Sequence, residues 1–471
     1  MGKRCAYLIN RCVGLDVVEA RRNTFKSPKP DAVRLLVYDI LKEVNRGDGY
    51  SNLLLPEALT ASSFEQRDKG FATELLYGTL RMQGRHDFIA SQVSDRPWSE
   101  VDTGIVDVIR LGAHQLFEMR VPSHAAVSAT VELARKVLGE SKASFVNALL
   151  RKMSAKTLDQ WLEPVSEISD PVTRLSIMYS HPEWIVSAYF DLLRDFAEVE
   201  SLLSANNMPA TPTIVWWPGR SNAEEFLSQG GVSSKYSNYG IKIDMAPSAL
   251  EAVRHRRAGV QDEGSQLVAQ IFAEVAKSSE DWLDLCAGPG GKAALLSALA
   301  KESGKKFTAN EISAPRAKLV EQVIGGARVI VSDGRQIGTL GEKFGAVLAD
   351  VPCTGLGALR RRPEVRWRRS VTDLRELTQL QRELADAAIG VVVEGGFFGY
   401  ATCSPHLAET SIVVGDILRK HPEMQLVDLA PYLPADLHGA IREKSLSLWT
   451  HRHETDAMFL AIFRKKSASE N

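Results

Sequence analysis

The chain has 471 residues, 44% of them hydrophobic, and its 57 basic and 58 acidic residues leave a formal net charge of −1. This length is enough for roughly two or three globular cores. No apolar run approaches the length of a membrane span, so we expect a soluble protein without a membrane partner. The five cysteines follow no pairing pattern, which favours a reducing, cytoplasmic location over a disulfide framework.

The first 29 residues carry seven Lys or Arg side chains and two acidic ones. We interpret residues 1–29 as a flexible basic extension. The apolar segment at 6–9 is too short for the core of a secretion signal.

Residues 30–160 show helical patterns and no convincing strand. Apolar side chains recur at helical spacing, as at Ile105, Val108 and Ile109, so we predict an all-α domain over this range. Residues 170–260 follow as a small linking α/β domain, in which segment 212–218 is typical of a strand.

A glycine-rich loop stands at the start of the last predicted domain, 261–465. A strand is predicted at 282–286, then the loop at 287–292 and a helix at 293–300. Such a loop lets a ligand approach bare backbone N–H groups and the helix N-terminus, as in nucleotide-binding doubly wound folds. Its spacing departs from GxGxxG, so a dinucleotide is not the expected ligand.

Two further strands end in carboxylates. Strand 306–311 ends at Glu311, about twenty residues beyond the loop, where a carboxylate can accept hydrogen bonds from both ribose hydroxyls of an adenosine group. Strand 327–333 ends at Asp333. Either residue alone is equally well explained as a turn former or a helix cap.

Two cysteines also follow predicted strands. Cys353 comes after strand 345–349 and Cys403 after strand 396–401, so in a parallel sheet both thiols would lie at one edge. A lone cysteine is often a small buried hydrophobe, and a pair can bind metal. The chain has no CxxC motif and no histidines at finger-like spacing from a cysteine pair, so we predict no metal site.

Taken in order, these strand-end signals predict an α/β doubly wound, Rossmann-like fold that binds S-adenosylmethionine. Asp350 would face both the cofactor and the substrate. The predicted cofactor-binding residues are Cys286, Ala287, Gly288, Pro289, Gly290, Gly291, Lys292, Glu311, Asp333 and Asp350.

Six arginines lie within ten residues just after Cys353, in a chain that is otherwise close to neutral. They form a local positive field beside the proposed site, which favours phosphate contacts with RNA over a merely solvated loop. Trp367, inside the cluster, could pack under the loop or stack on a base. The predicted RNA-binding residues are Arg360, Arg361, Arg362, Arg366, Arg368 and Arg369.

Together these motifs resemble the RNA cytosine-5 methyltransferases, and among them the bacterial Sun/Fmu type, which carries a NusB-like N-terminal domain. The resemblance covers most of the chain and rests on segments 261–266, 284–292, 350–353, 400–404 and 455–460. DNA cytosine-5 methyltransferases carry a Glu-Asn-Val element that is absent here, and amino-group methyltransferases have an aromatic residue where Cys353 stands.

The resemblance implies a role for each catalytic candidate. Cys403 would be the nucleophile that adds to carbon 6 of cytosine, and Cys353 would assist its release. Asp350 would hydrogen-bond the ring N3 or the exocyclic amine. Lys292 would keep Cys403 ionised or orient the base.

The resemblance also implies an RNA substrate, with small-subunit (16S) ribosomal RNA expected and the NusB-like domain docking it. We expect no obligate protein partner. Three alternatives stay open: transfer RNA as substrate, uridine as the target base, and a NusB-like RNA-binding factor whose methyltransferase half is only a scaffold.

Overall fold

The computed structural model describes residues 31–47, 49–467 and 470. The predicted extension 1–29 lies outside these residues. The chain divides into two compact units: a helical unit, Met1–Asn207 with Arg361–Arg368, and a sheet unit, Met208–Arg360 with Arg369–Asn471. The two units differ from the predicted domains, because the helices from 171 to 207 belong to the helical unit and not to the predicted linking domain 170–260. The predicted domain bounds stay a prediction.

Several helices of the helical unit begin with a side chain that caps the first turn. Asp31 accepts the N–H of Val33 at 2.8 Å, and Asp102 accepts that of Gly104 at 2.9 Å, which satisfies donors that a helix start leaves unpaired. The helices are α1 Ala32–Arg46, α2 Ser51–Ala61, α3 Gln66–Val93, α4 Thr103–Phe117, α5 Ser123–Leu138, α6 Glu140–Met153, α7 Leu158–Ser166, α8 Pro171–Tyr179, α9 Glu183–Leu193 and α10 Phe196–Asn207.

One apolar core holds the first of these helices together. Fully buried side chains such as Leu41 of α1, Leu75 of α3, Ile109 of α4 and Leu150 of α6 belong to it. Burial of such stripes is the main source of helix stability in proteins. The all-α prediction for this part of the chain is confirmed.

The sheet unit begins with a small antiparallel sheet. Its strands are β1 Thr213–Trp216, β2 Val232–Ser233, β3 Gly240–Lys242 and β4 Ala258–Val260, in the order β2-β3-β1-β4. Two short helices, α11 Glu224–Leu227 and α12 Glu251–Arg254, accompany it. Ile214, Phe226 and Ile241 form its own small core.

The large sheet has nine strands in the order β11-β12-β13-β9-β8-β5-β6-β7, with β10 paired to β13. Neighbours from β9 to β7 are parallel, and β13 runs antiparallel to β9. The strands are β5 Asp281–Asp284, β6 Lys306–Asn310, β7 Arg328–Ile330, β8 Phe344–Asp350, β9 Val392–Thr402, β10 Met424–Leu426, β11 Ile441–Arg442, β12 Ser445–Ser447 and β13 Phe459–Lys465. The Rossmann-like fold class is confirmed.

Helices pack against this sheet, and two apolar cores lie between the helices and the strands. They are α13 Glu263–Val275, α14 Gly291–Glu302, α15 Ala314–Glu321, α17 Val371–Val391, α18 Ser411–Lys420 and α19 Thr450–His453, while α16 Val365–Arg368 lies in the helical unit. One core contains Phe272 and Leu295, and the other contains Leu384 and Phe398. From β5 the chain goes to β6 and β7 on one side and then to β8 on the other, so the carboxyl ends of β5 and β8 form the switch point where such sheets bind ligands.

Across the described ranges, none of the helices combines the length and the apolar character that crossing a membrane requires.

Candidate active site

The glycine-rich loop joins the carboxyl end of β5 to α14 and contacts the end of β6. The N–H of Gly288 donates to Glu311 at 3.0 Å, and a Cβ at Gly288 would lie 2.2 Å from that carboxylate, so a side chain there would displace Glu311. Gly290 has a φ of 113°, in the left-handed region that favours glycine. The structure therefore brings the predicted loop and Glu311 together.

The ends of the neighbouring strands are tied by a residue that the sequence interpretation missed. The Asn310 side-chain amide donates to the carbonyl of Leu285 at 3.0 Å and to that of Ser332 at 3.2 Å. It thereby links the segments that follow β5, β6 and β7. A polar residue inside a strand is a weak signal, because its use depends on which carbonyls face it.

Asp333 lies just beyond β7 and begins a short 3₁₀ helix, Gly334–Leu340, by accepting the N–H of Arg335 at 3.0 Å. The Arg335 guanidinium also binds this carboxylate and lowers the pKa of Asp333. Strand β7 ends at Ile330, three residues before the predicted end of that strand.

Exposed apolar side chains flank both carboxylates. Ile312, next to Glu311, is 62% exposed, and Val331, between β7 and Asp333, is 53% exposed. An adenosine group needs carboxylates to accept hydrogen bonds from its two ribose hydroxyls and apolar surface for its base. A loop with few side chains lets it approach the backbone. These residues fit S-adenosylmethionine.

Lys292 and Asp350 form an ion pair between α14 and the end of β8. The Lys292 Nζ lies 2.8 Å from an Asp350 carboxylate oxygen. Burial disfavours the ammonium, but Asp350 and the neighbouring Cys403 outweigh burial and raise the pKa of Lys292. Lys292 therefore stays positively charged at neutral pH, beside the sulfur of Cys403.

The two cysteines meet at the ends of β8 and β9. The Sγ atoms of Cys353 and Cys403 are 3.3 Å apart, as the strand-end positions predicted. The hydrogen bond with Cys403, followed by burial, raises the pKa of Cys353 well above the ordinary thiol value. Cys403 is the thiol of this pair whose charge interacts with Lys292.

A third cysteine, Cys286, has different surroundings. Burial and the nearby Asp284 and Asp350 raise the pKa of its thiol well above the usual range. Asp284 itself is fully buried, and burial, followed by the charge of Asp350, raises its pKa to about 7. Cys286 is therefore held as a neutral thiol and is not a nucleophile candidate.

The arginine cluster is not brought to one place. Arg360 donates to the carbonyl of Glu454 at 3.0 Å in the sheet unit. Arg366 is fully buried in the helical unit, where it donates to Asn207 at 2.8 Å and to the carbonyl of Ser180 at 3.1 Å. Its guanidinium therefore binds protein groups.

Trp367 and Arg368 are also anchored among the helices. The Trp367 indole N–H donates to the carbonyl of Leu80 at 3.0 Å, and its ring packs against the bare face of Gly84. Arg368 donates to two backbone carbonyls, those of Val44 and Gly49. Phosphate contact stays a prediction for Arg361, which is exposed, and for Arg362 and Arg369, which are half-buried.

Comparison with known proteins matches two parts of the chain to two families. Residues 273–464 match the 16S rRNA methyltransferase RsmB/F family, and residues 31–155 match the NusB family. A putative methyltransferase of Mycobacterium tuberculosis is 41% identical over 445 residues, which are 92% of this chain and 97% of the relative. The ribosomal RNA small subunit methyltransferase B of Pseudomonas putida is 30% identical and covers 84% of this chain and 91% of its own.

Solved structures show the same fold. The crystal structure of PH0851 aligns with a TM-score of 0.77 at 23% identity, over 94% of this chain and all of its own. NSun6 from Pyrococcus horikoshii, solved with SFG, aligns with a TM-score of 0.53 at 18% identity, over 61% of this chain and 98% of its own. The enzymes of this group use S-adenosylmethionine as cofactor. The chain belongs to the RsmB/F methyltransferase family and carries a NusB-family domain ahead of its methyltransferase fold.

Proposed function

We propose that this protein methylates carbon 5 of a cytosine in 16S ribosomal RNA through a covalent bond between Cys403 and the base. The observation that carries the proposal is the pair of sulfurs 3.3 Å apart beside the Lys292–Asp350 ion pair. A methyl transfer to nitrogen or oxygen has no use for two thiols in contact. The names of the relatives, which are ribosomal RNA small subunit methyltransferases, support the substrate.

Carbon 5 of cytosine is a weak nucleophile and has to be activated. The Cys403 thiolate adds to carbon 6, which places electron density on carbon 5. The Lys292 ammonium stabilises the thiolate before this addition, and its pKa is raised so that it stays charged. S-adenosylmethionine, when bound at the loop and Glu311, supplies the methyl group as an electrophile.

Asp350 holds the base during addition. Its carboxylate, fixed by Lys292 at 2.8 Å, accepts a hydrogen bond from the exocyclic amine or from a protonated N3 of the ring. Holding a proton at N3 makes carbon 6 more electrophilic. Uridine lacks this amine, which favours cytosine as the target.

Cys353 assists the release of the product. Water takes the proton from carbon 5, the electron pair of that C–H bond forms the carbon 5–carbon 6 double bond, and the Cys403 sulfur leaves as a thiolate, which restores the aromatic ring. The raised pKa of Cys353 keeps it as a thiol, and its S–H donates to the departing sulfur at contact distance. In this proposal Cys353 acts on the second half of the reaction and not on the first.

The nucleophile assignment is tested by Cys403→Ser. Serine is far less acidic than cysteine, so we expect normal S-adenosylmethionine binding by calorimetry and a loss of methyl transfer of about a thousandfold or more. Nucleoside mass spectrometry of 16S ribosomal RNA measures the 5-methylcytidine formed. Cys12→Ser, in the N-terminal extension, is the matched control. Turnover by Cys403→Ser near the control rate would remove Cys403 from this role.

A further inference from the structure

Behind the two thiols lies a buried carboxylate that the mechanism above does not use. Glu409 is fully buried and ends the short turn Leu407–Glu409 that follows β9. Its carboxylate accepts the backbone N–H of Thr354 at 2.8 Å, the hydroxyl of Thr354, and the side-chain N–H of Gln381 at 3.0 Å. All three donors are neutral groups.

These hydrogen bonds hold the chain on both sides of Cys353. Thr354 is the residue after Cys353. Gln381, fully buried on α17, also donates to the carbonyl of Pro352, the residue before Cys353, at 2.9 Å. The peptide groups that flank the Cys353 thiol are therefore fixed by one carboxylate and one amide.

The same network extends to Cys403. The hydroxyls of Thr354 and Ser404, the residue after Cys403, are 3.1 Å apart. The carbonyl of Cys403 accepts the N–H of Gly357 at 2.9 Å, and a Cβ at Gly357 would lie 2.8 Å from that carbonyl oxygen. The loop after Cys353 is thus pressed against the backbone of Cys403.

Tyr400 completes the network from β9. Its hydroxyl lies 2.8 Å from the backbone carbonyl oxygen of Glu409 and 3.2 Å from the side-chain oxygen of Gln381, and these two acceptors share its single hydrogen. The Gln381 orientation is fixed by these partners, because its oxygen accepts from Tyr400 while its nitrogen donates twice.

The chemistry of the site requires an acceptor at Glu409. A carboxylate can only accept hydrogen bonds, and here three donors point at it. The side-chain amide of a glutamine at this position would point its own N–H group at one of these donors. A buried charge is costly unless hydrogen bonds satisfy it. Each of these three donors belongs to the loop of Cys353 or to the residue that holds that loop.

We infer that Glu409 is a positioning residue that, through Thr354 and Gln381, holds the Cys353 and Cys403 sulfurs in contact. The catalytic meaning of this role rests on the proposed function, whereas the geometric role stands without it. Removal of the carboxylate frees the Cys353 loop, so the two sulfurs meet less often and release of the product slows.

The geometric role is measured on the protein alone, without RNA. Diamide, a diazene oxidant, takes two hydrogens from a pair of thiols in contact; the thiols form a disulfide and the diazene becomes a hydrazine. We expect wild-type protein to form the Cys353–Cys403 disulfide, identified by peptide mass mapping. In Glu409→Gln the rate should fall about tenfold or more, as expected from the loss of a hydrogen bond to a charged group.

Matched variants separate positioning from folding. Glu376→Gln, on the exposed face of α17, should form the disulfide at the wild-type rate. Thr354→Val, which removes only the hydroxyl donor, should slow it, and Thr354→Ser should restore it. These two variants keep the test valid if Glu409→Gln does not fold, which thermal melting shows.

A second measurement addresses release. Glu409→Gln, mixed with 16S ribosomal RNA and S-adenosylmethionine, should accumulate a covalent protein–RNA complex on denaturing gels. If wild-type protein forms the disulfide and Glu409→Gln and Thr354→Val do not, but no RNA is methylated, the inference stands and the proposed function fails. The inference is overturned if wild-type thiols do not pair, or if folded Glu409→Gln and Thr354→Val pair them at the wild-type rate.

Discussion

At the scale of single residues, three cysteines that follow strands of one sheet have different charged surroundings. Cys286 is kept neutral by burial and by carboxylates, while Cys403 lies beside the ammonium of Lys292. Cys353 has a raised pKa because of its hydrogen bond with Cys403 and its burial. In the proposed mechanism, the neighbouring charge of Lys292, and not the residue type, selects Cys403 as the nucleophile.

The raised pKa of Asp284 predicts how the unfolding free energy changes with pH, whatever the activity of the protein. Its pKa in the folded protein is about 7, so the folded state keeps a proton that the unfolded state loses above the ordinary aspartate pKa. The contribution of this group to stability is fully present below about pH 4 and is lost as the pH rises through 7.

Asp284→Asn should therefore remove this pH dependence. Relative to the variant, the unfolding free energy of the wild type should decrease between about pH 4 and 7 by an amount on the order of 4 kcal/mol. Urea unfolding at several pH values measures this decrease. The control is Asp281→Asn, because Asp281 is half-exposed on the same strand. Parallel curves for the wild type and Asp284→Asn would contradict the raised pKa.

At the scale of elements, the sequence predicted the strands that carry the site but not the supports behind them. Strands β6, β8 and β9 lie where their apolar runs predicted them, and Cys353, Cys403, Glu311 and Asp350 could be found because each follows such a run. Glu409 and Gln381 could not be found, because their role depends on how α17 and a turn approach the Cys353 loop in three dimensions.

The arginine-rich segment shows the same limit of prediction. In sequence its six arginines are equivalent, yet Arg366 is fully buried with its guanidinium bonded to Asn207 and Ser180, and burial lowers its pKa to about 9. Arg361 lies exposed in the same segment. Local charge density predicts a positive field, but only the packing decides which side chains reach solvent.

Arg366→Ala should destabilise the helical unit. Removing the guanidinium leaves a cavity and unpaired carbonyl oxygens, so we expect a loss of unfolding free energy on the order of 3 kcal/mol. Denaturant unfolding and hydrogen exchange in α8 and α10 measure the effect. Arg375→Ala, exposed on α17, should change the stability little, and an equally small effect of Arg366→Ala would contradict the structural role.

At the scale of the whole molecule, the chain joins a NusB-family helical part to an RsmB/F methyltransferase part. The fold class and the order of these parts followed from the periodicity of the sequence and from the order of its motifs. The extent of the helical unit, which runs to Asn207, could not be predicted in this way, because periodicity marks helices but not the core to which they belong.

We propose that RNA affinity depends on the exposed Arg361 and on the half-buried Arg362 and Arg369. Arg361→Ala should weaken binding to ribosomal RNA and reduce the slope of the logarithm of affinity against the logarithm of salt concentration by about 1, as expected for one lost phosphate contact. Filter binding at several salt concentrations measures this slope. An unchanged slope for Arg361→Ala, Arg362→Ala and Arg369→Ala would contradict a role of the segment in phosphate binding.

The central claim is a covalent bond between Cys403 and cytosine that Cys353 helps to release, and trapping that bond tests it most directly. Purified Cys353→Ala protein is mixed with deproteinised 16S ribosomal RNA and S-adenosylmethionine, resolved on a denaturing gel, and the crosslinked nucleotide is mapped. We expect a covalent complex at one cytosine that is absent when Cys403 is also changed to serine. A complex formed only on transfer RNA would contradict the substrate, and no complex on either RNA would contradict the covalent mechanism.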